Sequence, residues 1–194
     1  MTLAEADGNT PLDEDEAAGL LPGHLTTRGG LNAWEQANIA AAVAWLRRRR
    51  PAEPVLSLAF LRDLHRRMFD ETWKWAGQFR TTGKNIGVPA HRIAEDVANL
   101  LADASFWEEH GTYGVEEIAV RLHHRLTFIH PFPNGNGRHA RLMTDEFLAR
   151  HGLEPFSWGS GDLARAGGAR SRYLDALRSA DRGDLSALFG FVRS

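Results

Sequence analysis

The chain has no cysteine, which excludes disulfides, thiolate nucleophiles and thiolate metal sites. No apolar run approaches the ~18 residues that a membrane span needs. The N-terminus lacks the basic-then-apolar pattern of a signal peptide, so a soluble, cytoplasmic protein is expected, with no membrane contact. Formal net charge is only −2, and no electrostatic footprint points to direct binding of nucleic acid. Catalytic signatures are missing too. His123, His124, His130 and His139 could suggest a metal hydrolase, but no His-Glu-x-x-His pattern joins them. Gly-Asn-Gly-Arg lacks the lysine and the spacing of a Walker loop. There is no internal repeat.

What remains is an ordinary soluble composition, 43% hydrophobic and 25% charged over 194 residues, enough for one domain with a tail. Residues 1–29 carry Glu5, Asp7, Asp13, Glu14, Asp15 and Glu16 with few large apolar groups, and they read as an acidic, mobile arm. Residues 30–194 read as the folded domain. Trp34, Ile39, Ala41 and Trp45 lie in a helix that Pro51 stops. Arg47 to Arg50 form its solvated, dipole-compensating end. Ser57 caps a second helix running to Met68, with Leu58, Phe60, Leu61, Leu64 and Met68 as apolar positions. Further helices are expected over 93–109, 115–129, 138–150, 171–180 and 185–192. Only Trp75 to Val88 has strand character, punctuated by Gly77, Gly83 and Gly87 as in a short hairpin. The fold class is therefore all-α with one small β-hairpin.

Chemistry concentrates where the helix over 115–129 meets the next. Pro131 cannot continue a helix, so His130 lies at the helix end. Gly135 and Gly137 flank Asn136 and permit positive φ, which turns backbone N–H groups inward as an anion-binding nest. The following helix adds its positive dipole end. Arg138 and Arg141, three residues apart, share its first turns. Two arginines at a helix N-terminus oppose the dipole at a cost of ~0.3–1 kcal/mol each, and a bound polyphosphate would reverse that sign. His130, with an ordinary pKa near 6.5, suits proton abstraction from an attacking hydroxyl. The bland alternative is a glycine-rich loop with two exposed arginines and a capping histidine.

The run His130-Pro-Phe-Pro-Asn-Gly-Asn-Gly-Arg-His-Ala-Arg141 resembles the signature of the Fic (filamentation induced by cAMP)/Doc family, His-x-Phe-x-acidic-Gly-Asn-Gly-Arg-x-x-Arg. Leu61-x-x-Leu64-His65-x-x-Met68-Phe69 resembles the helix before the family's flap, and Trp75 to Val88 resembles the flap. Tyr173-x-x-Ala-Leu177-x-x-Ala180 resembles the closing helices. Within the family the likeness is to the group called mobile mystery protein B, often paired with a helix-turn-helix partner.

The resemblance implies a protein adenylyltransferase moving AMP from ATP to a Tyr, Thr or Ser hydroxyl of a target protein. His130 would be the base, and Phe132 would anchor the loop. Gly135, Asn136 and Gly137 would cradle phosphate, while Arg138 and Arg141 held the outer phosphates. The flap residues Thr82, Gly83, Lys84, Asn85 and Ile86 would pair with target main chain, unless the hairpin merely closes the domain. A toxin–antitoxin role follows by analogy.

The chain departs from the pattern at Asn134, where most active members carry Asp or Glu to ligate Mg²⁺. An amide carbonyl can still coordinate that cation but brings it no charge, so Mg²⁺ would be held mostly by ATP. This keeps two alternatives open: a Doc-like protein phosphotransferase, and a non-catalytic nucleotide- or partner-binding module. The family's inhibitory motif, Ser/Thr-x-x-x-Glu-Gly/Asn, is matched only in spacing by Thr10 and Glu14, with Asp15 in its last position.

Overall fold

The computed structural model describes residues 13–25, 27–48, 53–161, 163 and 167–194. Eight α-helices form among them: α1 (Glu14–Ala17), α2 (Arg28–Arg48), α3 (Leu58–Phe69), α4 (Ile93–His110), α5 (Val115–Ile129), α6 (Asn136–Arg150), α7 (Gly168–Asp181) and α8 (Ser186–Val192). Their bounds follow local chemistry. Ser57 Oγ accepts the Phe60 N–H at 3.1 Å to start α3. Gly111, in the left-handed region at φ 60°, ends α4. Arg47 and Arg48 close the last described turn of α2, whereas Arg49, Arg50 and Pro51 lie outside the described residues.

The helices α5 and α6 form a central hairpin, flanked by α3 on α6, by α2 on α3, and by α4, α7 and α8 on α5. The shared core includes Leu61, Leu64, Met68, Ile118, Leu122, Leu126, Ile129, Met143 and Phe147. These positions recur at helical spacing within α3, α5 and α6, so burying that stripe drives the packing.

Two expectations change. Residues 75–88 form no strand; among the described residues the bridge pairs Leu20 with Trp73, antiparallel. The segment is instead tied to the α5–α6 junction, because Arg80 N–H donates to Pro131 O at 2.9 Å and Val88 N–H to Ile129 O at 3.3 Å. Backbone groups satisfied in this way are not available for a ladder within the segment. The second change concerns the acidic N-terminal stretch, which from Asp13 onward is packed rather than loose. Asp13 and Glu16 make a reciprocal capping box on α1, and Trp75 Nε1 donates to Glu16 O at 2.9 Å. Lys74 N–H donates to Gly19 O and Leu21 N–H to Thr72 O, both at 2.9 Å. Residues 13–21 are thus a strap over the start of the flap.

Candidate active site

His130 is the C-cap of α5 and adopts left-handed φ 55°, ψ 59°. A non-glycine residue pays about 1–2 kcal/mol for that conformation, so the surroundings must hold it. Its N–H donates to Leu126 O at 3.1 Å, and its carbonyl accepts Arg80 Nε at 2.7 Å. The ring Nδ1 lies 3.3 Å from Thr127 O. An N–H on Nδ1 satisfies that carbonyl and puts the basic lone pair on Nε2. Burial pushes the imidazole down to about 4, against the Thr127 hydrogen bond and with help from the charges of Arg80 and Lys84. The ring is therefore neutral at pH 7. Its composition-based value near 6.5 fails because the side chain is buried, and only the fold shows that.

The loop after His130 is closed by its own residues. Phe132 is fully buried and stacks on His65, with ring centroids 3.7 Å apart. Asn136 Oδ1 accepts the Phe132 N–H at 2.9 Å while Asn136 Nδ2 donates to Phe132 O at 2.8 Å. The Asn136 side chain therefore shapes the loop, and its amide groups are already engaged there. Gly135 takes φ 78°, and an added Cβ would lie 2.5 Å from Phe69 Cζ. Gly137 differs from expectation: it lies within α6 and takes no positive φ, and a Cβ there would meet only Arg141 Nη1, at 3.6 Å. No side chain caps α6. The N–H groups of Asn136, Gly137 and Arg138 accordingly head the helix without intrahelical acceptors, which suits an anion.

The arginines lean toward different neighbours. Arg138 Nη1 meets Glu35 Oε2 of α2 at 2.7 Å, and its Cζ lies 4.9 Å from the Phe69 ring centroid. Arg141 lies with its Cζ 5.8 Å from the ring centroid of the buried Tyr173. The dipole conflict read from the sequence is thus relieved at Arg138 by a carboxylate 103 residues away.

The flap is organised by Arg80, which is 3% exposed. Besides His130 O, its guanidinium donates to Thr82 O at 2.8 Å, to Val88 O, and to Ile129 O at 3.4 Å. Gly87, at φ 93°, lets the flap backbone approach His130; a Cβ there would sit 2.6 Å from His130 Cβ. Thr82 Oγ1 donates to Asp13 Oδ2 at 2.9 Å, and the buried Lys84 ammonium pairs with Glu16. Ile86 is 38% exposed. Glu14 is exposed on α1, and Thr10 lies outside the described residues.

Asn134 contributes little toward a metal. Its Oδ1 accepts the Gly135 N–H at 2.5 Å, and its carbonyl accepts His65 Nε2 at 3.1 Å. Among the described residues no group of three His, Asp or Glu could hold a metal ion. The loop does not fit a resident Mg²⁺.

Four participants are not read from the sequence as site residues: Arg80, His65, Glu35 and Glu16. The available signal is a polar residue inside an apolar stripe. His65 falls among Leu61, Leu64 and Met68, and Glu35 falls among Leu31, Ala42 and Leu46.

Residues 55–148 match the model of the Fic/DOC family. The chain is 30% identical over 141 residues to the protein adenylyltransferase fic-1 of Caenorhabditis briggsae, covering 71% of this chain and 26% of that protein. It is 42% identical over 69 residues to the uridine 5'-monophosphate transferase of Xanthomonas campestris pv. campestris, covering 31% of this chain and 13% of that protein. Fic-1 of Caenorhabditis elegans superposes with a TM-score of 0.67 at 24% identity, over 91% of this chain and 51% of that one. The chain spans less than a third of the length of the curated adenylyltransferases it matches. Motif, helical fold and matched residues agree, and the chain belongs to the Fic/DOC family.

Proposed function

We propose that this chain is a protein adenylyltransferase that moves AMP from ATP to a Tyr, Thr or Ser hydroxyl of a target protein. One arrangement carries the reading: His130, its Nδ1 3.3 Å from Thr127 O, closes α5 six residues before the uncapped N-terminus of α6. In the reaction the target hydroxyl oxygen attacks the α-phosphorus, and the bond from that phosphorus to the bridging oxygen breaks. Pyrophosphate leaves, and His130 Nε2 takes the hydroxyl proton. The N–H groups of Asn136, Gly137 and Arg138, with the two arginines, hold the phosphates and the charge that develops on them. A neutral ring is the competent base, and neighbouring phosphates would raise its basicity from its low resting value.

Mg²⁺ enters with ATP rather than as a resident ion, since Asn134 offers a neutral oxygen already engaged with Gly135. The flap stretch Thr82 to Ile86 presents the target's main chain, Ile86 being its exposed apolar contact. The likeness to the mobile mystery protein B group supports a cytoplasmic, toxin-like role with a helix-turn-helix partner. Growth slowed by the wild-type chain, spared by His130→Ala and restored by that partner, is the expected result in a bacterial host.

The direct test is transfer to lysate proteins from ATP labelled at the α-phosphate, with His130→Ala as control. Label that requires His130 is expected. Label only from the γ-phosphate would mean phosphotransfer, and label only from α-labelled UTP would mean uridylyl transfer, the chemistry named for the Xanthomonas relative.

A further inference from the structure

The pair Glu35–Arg138 joins α2, which lies outside the family motif, to the first turn of α6. Glu35 is 5% exposed. Its Oε1 accepts Trp73 Nε1 at 2.8 Å, and its Oε2 accepts Arg138 Nη1 at 2.7 Å. Both partners are obligate donors. Only a carboxylate offers an acceptor to each; an amide would set an N–H against one of them. On its other side the guanidinium is fixed by the face of Phe69, 4.9 Å from Cζ. The Arg138 side chain remains 30% exposed, so it is not sealed from a ligand at the head of α6.

We propose that Glu35 is a positioning residue for the nucleotide: with Trp73 as its own anchor, it orients Arg138 so that the remaining N–H groups meet the outer phosphates of the donor. This rests on the adenylyltransferase reading above. Glu35 touches no substrate and acts through Arg138. Its effect is confined to ligands long enough to reach that arginine, so ATP senses it and AMP does not. The opposite role, inhibition, would follow if the carboxylate competed with phosphate for the same fork. The two roles differ in the sign of one measurement.

The experiment is calorimetric binding of ATP and of AMP to the full chain, wild type and Glu35→Gln, each also with Arg138→Ala. Thermal melts confirm that each variant is folded. Glu35→Gln is expected to weaken ATP binding about tenfold, the worth of one charge-assisted contact, with AMP binding unchanged. In the Arg138→Ala background the same substitution should then have no further effect on ATP. Unchanged or tighter ATP binding in Glu35→Gln overturns the proposal while leaving the adenylyltransferase reading intact. Equal weakening of ATP and AMP, or a loss that persists without Arg138, overturns it as a merely structural effect. A wild-type chain that binds no ATP removes the functional reading and the proposal together. If Glu35→Gln does not fold, Glu35→Asp keeps both acceptors but withdraws them by a methylene, and the same criteria apply with a smaller loss.

Discussion

Replacing Gly135 with alanine tests whether the loop is held by core packing. The cost has two parts. A left-handed residue with a Cβ costs about 1–2 kcal/mol, and Gly135 has φ 78°. The new methyl would also lie 2.5 Å from Phe69 Cζ and 2.6 Å from Phe69 Cε2, where carbon contacts normally sit ~3.5–4.0 Å apart. Phe69 is 1% exposed, so its ring cannot swing into solvent, and overpacking of this kind costs about 1–3 kcal/mol. Gly135→Ala should therefore destabilise by about 2–5 kcal/mol, a large share of the ~5–15 kcal/mol that holds a domain. Urea denaturation with constant m measures it. In Phe69→Leu the colliding ring edge is gone, so only the backbone part should remain, and the two substitutions should be non-additive by about 1–3 kcal/mol. Additivity within ~0.5 kcal/mol would refute the clash, and a loss below ~0.5 kcal/mol would refute the strain as well.

Arg80→Lys should detach the flap, because one ammonium cannot reach the four carbonyls of Thr82, Val88, Ile129 and His130. Amide exchange of residues 80–88 should quicken at least about fivefold, one lost contact being worth about 1–3 kcal/mol, and an unchanged rate would count against this role. Glu14→Gly should leave transfer activity unchanged, since Glu14 is exposed on α1; Glu16→Gln, which breaks the buried pair with Lys84, should quicken exchange in the flap. Acid should destabilise the fold: His65, His123, His130 and His139 all titrate lower folded than their ordinary 6.5, the last three near 3, 4 and 4. The unfolded chain then binds more protons as pH falls through 6.5 toward 4, at about 1.4 kcal/mol per ring and pH unit. Asp145, raised by burial to about 6, works in the opposite sense below pH 6 but is outnumbered. Tm should hold above pH 7 and fall steadily toward pH 4.5; a flat Tm would contradict the buried neutral rings.

Most of the helical layout was legible because it depends on local signals. The periodic stripe of α5 and Pro131 beyond it set bounds of 115–129, and the structure has Val115–Ile129. Ser57 was readable as a cap since its work is done three residues away. The hairpin was misread because glycine spacing and β-propensity report what a segment tolerates. Its actual partners, Pro131 O and Ile129 O, lie in another part of the chain. The same limit explains Gly137, where glycine reads as positive φ but fills a helical position. Arg138 was legible as a residue at odds with its helix dipole, yet the sequence could not reveal that Glu35 answers it.

That answer has a wider meaning for how the site is built. The family match spans residues 55–148, and it contains His130, the loop, the flap and both arginines. Two of the cations in that span are nevertheless met by carboxylates from outside it, Lys84 by Glu16 and Arg138 by Glu35. Both carboxylates are buried, at 9% and 5% exposure, so neither pair is an incidental surface contact. Removing Lys84 or Arg138 would leave its buried carboxylate uncompensated, which is far costlier than losing a surface pair. The flanking strap and α2 are thus electrostatic parts of the site. A chain that kept the motif but changed these two glutamates should keep its fold class while altering how its flap and Arg138 are held.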